Sequence, residues 1–314
     1  MFPRSGSMWC VAASFAAGVL ALAMVPVTQA DIVLTGDEQI TVNSSVGNVT
    51  LHDTSRAFIV SGGTVFDLYA HNSSTVNMSD GTVNNNLTAN NSSTVNMSGG
   101  TVNNNFTAYH SSTVNMSDGT VAGFFLAPFN FSTVNMSGGS VINLWPHDFS
   151  IVNVSGGTVD GSLILNESST ANVSGGTVIN WCNVYGSSTV NVSGGTLNNW
   201  LSVLESSTVN MSGGTLGDRL DVCDSSVVTF SGRDFSLGGG LTLAGERVLG
   251  TGVLGGEWMD GTPWSVNISR NDAEATIRLV PEPGTLAMLG TGLVALAALA
   301  WRRRRSHCRC LGMR

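Results

Sequence analysis

Trp181, Trp200 and Arg219 follow one another at intervals of 19 residues. Two indoles and a guanidinium brought side by side could form a platform for a sugar ring, or a cation–π contact with another chain. Glu205 and Asp224 keep the same interval, and Asp221 lies close by. Paired carboxylates are the working groups of glycoside hydrolysis, but one of them must be buried so that its pKa rises. On a solvated turn the pair would suit weak calcium binding, or simple hydration, better than catalysis.

Other chemistries find no residues to carry them. The five histidines have no metal-ligand spacing, there is no G-x-S-x-G, and no cysteine pairs with a histidine. The expectation is a chain without cofactor and without enzymatic activity. Between Asp31 and Glu282 six arginines and no lysine face 21 acidic residues, so this part carries 6 − 21 = −15. Such a charge excludes binding to nucleic acid or anionic lipid by electrostatics.

What positions the candidate residues is a repeat. Aligned on the valine of Ser-Thr-Val-Asn, it recurs at Phe58, Val76, Val95, Val114, Val134, Val152, Ala171, Val190, Val209 and Val228, at intervals of 18 to 20. Within each unit, stretches such as Thr75-Val76-Asn77-Met78 alternate apolar and polar with period two, the pattern of a half-buried strand. A second inward set is expected at Leu87, Phe106, Phe125, Leu163, Cys182, Leu201 and Leu220, with Ala89, Ala108 and Ala127 two residues on. Gly-Gly and Asn/Ser steps between the strands are turn chemistry. The prediction is all-β: a parallel β-helix or solenoid of about ten 19-residue coils stacked at roughly 4.8 Å.

Three outward columns follow from that stacking. One is threonine, from Thr64 and Thr82 to Thr215, beside a column of Asn77-type residues. Threonine arrays serve ice binding in some solenoids, but asparagine rather than threonine fills the neighbouring column here, so strand preference and ladder hydrogen bonds explain it better. The second column, Asn86, Asn105, Phe124, Ser162, Trp181, Trp200, Arg219, holds the candidate ligand contacts. The third runs along a turn through Asn72, Asn91, His110, Asn130, Asp148, Glu167, Gly186, Glu205 and Asp224.

The ends carry addresses. Arg4, an apolar run from Trp9, and a cut between Ala30 and Asp31 give a signal peptide over 1–30, to be removed by signal peptidase. Residues 31–56 are expected to form an N-terminal β cap, 57–232 the solenoid and 233–279 a C-terminal β cap with an Asp260-Gly261 turn. In the last segment, 280–314, Pro281-Glu282-Pro283 precedes an uncharged apolar stretch over 284–301, long enough for a transmembrane helix, and then Arg302, Arg303, Arg304 and Arg305. These three parts resemble the sorting tail of PEP-CTERM proteins. The resemblance implies export in a Gram-negative bacterium that makes exopolysaccharide, with the helix in the inner membrane until exosortase processes the tail near Pro-Glu-Pro. The chain runs on past the arginines as His307 to Arg314, where such tails usually stop sooner.

Of the five cysteines only Cys182 and Cys223 fall in the exported part, at non-equivalent repeat positions, so no disulfide is indicated. The function expected is a structural or adhesive protein of the cell surface or exopolysaccharide matrix, touching polysaccharide or like chains. The alternatives are a polysaccharide-binding or -degrading β-helix enzyme, with Glu205, Asp224 and Asp221 as acids, and an ice-binding protein.

Overall fold

The computed structural model describes residues 29–281. They form a parallel β-solenoid of about ten turns, and no helix occurs among the described residues. One turn is built from Thr75–Met78, Thr82–Val83 and Leu87–Ala89. In other turns the first two pieces run on as one bent strand, as in Thr94–Val102 and Thr189–Leu197. The Thr-Val-Asn-Met and Thr-Val pieces stack into one sheet, and the Leu-Thr-Ala pieces stack into a second.

Alternation decides which atoms face inward. Val76, Val95, Val114 and Val134 are fully buried, and Met78, Met97, Met116 and Met136 nearly so. Leu87, Phe106 and Leu163 close the core from the second sheet. Ten serines from Ser55 to Ser226 occupy the corner before the valine strand with no exposure. The Ser207 and Ser226 hydroxyls each donate to the backbone carbonyl of the preceding turn at 3.0 Å, whereas those of Ser55, Ser74, Ser150 and Ser169 have no partner. A buried hydroxyl without such a bond is costly.

The glycine bend is crowded. Gly100 has φ of +81°, and a Cβ there would come within 2.6 Å of Met78 Cε and 2.7 Å of the Asp80 carbonyl oxygen. Glycine therefore serves twice, allowing the left-handed conformation and leaving room for the methionine of the turn below.

Backbone pairing corrects the alignment in two places. Val76 pairs with Ala57, so Ala57 belongs to the inward column and Phe58 stands outside it, beside Asn77. Phe106 pairs with Leu126, so the inward residues of that turn are Leu126 and Pro128 rather than Phe125 and Ala127. Phe124 is then an inserted residue, 68% exposed. The 20-residue interval it creates is cancelled by the 18-residue interval that follows, and Val134 pairs with Val152 in register. A slip of one residue would have turned every later side chain inside out.

The stretch from Ile32 to Leu51 stacks in the same parallel manner, Ile40 on Ala57 and Val49 on Leu68. At the other end Gly252–Glu257 and Pro263–Asn271 form an antiparallel hairpin around Asp260 and Gly261. Pro263–Asn271 then lies parallel on Arg219–Val222, and Thr276–Pro281 parallel on Val227–Leu237. Trp258 and Trp264 stack at 4.8 Å, Trp264 lies 4.7 Å from Phe230, and Trp258 Nε1 donates to the Gly214 carbonyl at 2.7 Å.

Candidate functional site

The column that ends in Trp181, Trp200 and Arg219 begins as a row of backbone caps. Asp31 accepts from the Asn48 N–H at 2.8 Å, Asn48 from Asp67 at 3.2 Å, and Asp67 from Asn86 at 2.9 Å. Farther along, Asn143 accepts from Ser162 at 2.9 Å. Register places Phe125 and Asn143 in this column in place of Phe124, because their carbonyls accept from Phe106 and Leu126. Short polar side chains fit the column because each reaches the N–H of the next turn.

From Trp181 onward the column changes character. Trp181 pairs with Trp200, and Trp200 with Arg219, so the three sequence candidates are brought together. The indoles are 49% and 41% exposed. The Arg219 Cζ sits 4.3 Å from the Trp200 ring centroid, and its Nη2 donates to Asp221 at 2.7 Å. That hydrogen bond raises the guanidinium pKa further. A flat, partly apolar face with a fixed cation and a carboxylate can take a ring on its apolar side and hydroxyls at its edge.

The turn column has a backbone cause. Asn72, Asn91, His110, Asn130, Asp148, Glu167, Glu205 and Asp224 all have φ between +50° and +62°. Asn and Asp tolerate that conformation best among residues with a side chain. The carboxylates are also used as caps: Asp148 N–H donates to Glu167 at 2.8 Å, Gly186 N–H to Glu205 at 2.7 Å, and Glu205 N–H to Asp224 at 3.0 Å. Asp221 is held by Arg219 and by the Ser269 hydroxyl. The pKa of Glu167 is raised, chiefly by a side-chain hydrogen bond with Asp148. The three sequence-named acids thus point at backbone or arginine rather than into a common cleft.

Sequence reasoning missed an aromatic column one residue before this turn. His52 stacks on His71 at 5.2 Å, Tyr109 on Phe129 at 4.9 Å, and Phe129 on His147 at 4.6 Å, all within 15° of parallel. Asn166 interrupts it before Tyr185, and around that gap lies a hollow of about 370 Å³ lined by His147, Asn166, Glu167, Tyr185, Gly186 and Glu205. Phe131 and Phe149 stack at 5.1 Å where neighbouring turns have serine. The available signal was a column-by-column departure from the repeat, which the consensus phrase conceals.

The remaining ladders are structural in geometry. Seven amide bonds of 2.8–3.0 Å join Asn77, Asn96, Asn115, Asn135, Asn153, Asn172, Asn191 and Asn210 end to end. The threonine column stacks in register beside it, Thr101 on Thr82 and Thr120 on Thr101. Cys182 and Cys223 are free and buried, and burial pushes the Cys182 thiol up to about 12. At the start of the described chain the Ala30 carbonyl accepts from Gly47. Among the described residues no group of three or more His, Cys, Asp or Glu could hold a metal ion.

The last described strand, Thr276–Pro281, ends on the first residue of Pro281-Glu282-Pro283. The family described as the PEP-CTERM protein-sorting motif matches residues 279–305. The chain carries a PEP-CTERM sorting tail. Pro281, Glu282, Pro283 and Arg302, Arg303, Arg304 and Arg305 all fall within the match. The PEP-CTERM motif implies an exported protein processed by exosortase. Except for Pro281 these residues lie outside the described ones, as do the expected helix over 284–301 and most of the signal peptide. Among the described residues no helix is long and apolar enough to cross a membrane. No curated protein and no solved structure matches this PEP-CTERM chain.

Proposed function

We propose that this PEP-CTERM rod is a non-enzymatic structural or adhesive component of the bacterial cell surface or exopolysaccharide matrix, and that the Trp181–Trp200–Arg219 face is its contact with polysaccharide. The observation that carries the reading is that face itself: two half-exposed indoles and an anchored guanidinium side by side on an acidic rod. Aromatic rings fixed on a rigid sheet bind with little loss of side-chain freedom. The degrading-enzyme alternative is disfavoured because Glu205 and Asp224 cap backbone N–H groups on exposed turns. Ice binding is disfavoured because the column beside the threonines is filled with mutually bonded asparagine amides.

The test is fractionation of the producing bacterium into cells, envelope and matrix, with the intact mass of the protein taken from each. The expected result is protein in the envelope or matrix with a mass ending near Pro281–Pro283, and loss of matrix retention in W181A/W200A. A double variant retained like the parent would remove the face from the proposal. A mass that still includes Arg302 to Arg314, found in the membrane, would make the tail a permanent anchor.

A further inference from the structure

The aromatic turn column lacks a ring at Asn90 and at Asn166, and the hollow lies at the second of these. His147 stacks on Phe129 on one side, and on its other side the column continues with Asn166 and then Tyr185. Two rungs at roughly 4.8 Å separate His147 from Tyr185 by about 9–10 Å, and a ring in contact with both at about 3.5–4 Å on each side needs some 7–8 Å. Asn166 forms the floor, and its Nδ2 is buried without a hydrogen-bond partner. In the equivalent place the Asn90 Oδ1 is bonded to His110 Nδ1 at 2.9 Å. Glu167 and Glu205 stand along one wall, and between them Gly186 leaves the turn column without a side chain.

The chemistry of the walls selects the occupant. Two ring-bearing side chains favour a cyclic ligand, and the carboxylates favour one rich in hydrogen-bond donors. No lysine or arginine lines the hollow, while Glu167, Glu205 and the adjoining Asp148 gather negative charge. The pKa of Glu167 is raised, chiefly by its side-chain hydrogen bond with Asp148, and a bound cation would favour its charged form. Building on the polysaccharide reading above, we propose that this slot binds a cationic sugar, an amino-sugar unit carrying a free ammonium group. The ring lies between His147 and Tyr185, and the ammonium faces the glutamates.

The test is calorimetric titration of the exported protein with a glucosamine tetramer and with its fully N-acetylated counterpart, in mildly acidic low-salt buffer. The expected result is binding of the amine at least about tenfold tighter than of the acetylated form. Asn166→Phe supplies the missing ring, as Phe129 does in its own turn, and should leave the melting temperature equal or higher while binding falls about tenfold or more. Glu205→Gln should weaken the amine selectively. Equal binding of both tetramers, no binding of either, or full binding by N166F would overturn the slot. Because W181A/W200A leaves the slot intact, loss of matrix retention there with unchanged tetramer binding separates the two proposals. A slot that fails while retention still depends on Trp181 and Trp200 would sink this inference alone.

Discussion

Arg219 lies over the ring of Trp200, its Cζ 4.3 Å from the centroid, while its Nη2 grips Asp221 at 2.7 Å. The ion pair is partly exposed, so its Coulomb energy counts for little. Its geometric effect is larger, since the carboxylate fixes where the guanidinium points and so how much of the indole remains open. Replacing Asp221 with Asn should leave stability within about 0.5–1 kcal/mol but loosen the arginine. Trp200 emission, quenched less or more than in the parent, reads that change, and an identical spectrum would argue against a positioning role.

The asparagine ladder should be worth most in its middle. Asn115 both donates to Asn96 and accepts from Asn135, whereas Asn210 makes one such bond, to Asn191. At about 0.5–1.5 kcal/mol for each net hydrogen bond, Asn115→Ala should cost about 1–3 kcal/mol and Asn210→Ala about half as much. Urea denaturation of the two variants measures the ratio. Equal costs would mean that the amides hydrate as well as they pair.

Two glycines separate conformational strain from crowding. Gly245 has φ of +65° and nothing within 4 Å of a Cβ position, whereas Gly100 combines φ of +81° with contacts under 3 Å. Gly245→Ala should cost about 1 kcal/mol from its backbone alone. Gly100→Ala should cost clearly more, by pushing Met78 and the bend apart. Similar melting temperatures for both would show that the bend relaxes freely.

Acidification should weaken the rod near its histidine stacks. Burial lowers the pKa of His71, with His52 beside it adding to the effect, and burial lowers that of His147 against the opposing pull of Asp148. The unfolded chain, with histidine near 6.5, therefore takes up protons before the folded one does. Stability is complete above that pH and declines as the pH falls through it toward the lowered folded values. His71→Asn, which copies Asn90 in the same column, should flatten the decline seen in thermal melts. A variant as acid-sensitive as the parent would place the cause elsewhere.

Phe131 and Phe149 are 64% and 57% exposed and stand where other turns have serine. Restoring serine at both should change stability by no more than about 1 kcal/mol. Self-association at high concentration, followed by light scattering, should fall as the exposed apolar patch disappears. Unchanged scattering would mean that these rings contact nothing outside their own chain.

The architecture was readable from the sequence because period-two alternation and a strict 19-residue interval both express backbone geometry, and the same inward valine must recur at every rung. The misplacements at Phe58 and Phe125 arose where apolar residues flank the true inward position, so that pattern alone could not choose between neighbours. Only hydrogen-bonded register separates Ala57 from Phe58 or Leu126 from Phe125. Trp181, Trp200 and Arg219 could be placed side by side because they keep the interval without insertions. The hollow at Asn166 was invisible for the opposite reason: it is made by what two columns lack, a ring at Asn166 and a side chain at Gly186.

The sorting motif and the sheet overlap. Leu279, Val280 and Pro281 belong to the matched tail, and they also pair with Phe230, Ser231 and Gly232. A peptidase that takes its substrate as an extended strand needs the same backbone groups that this final ladder consumes. For a peptidase of that kind, capture before the last strand docks would meet a free peptide, and capture afterwards would first have to unzip the end of the rod.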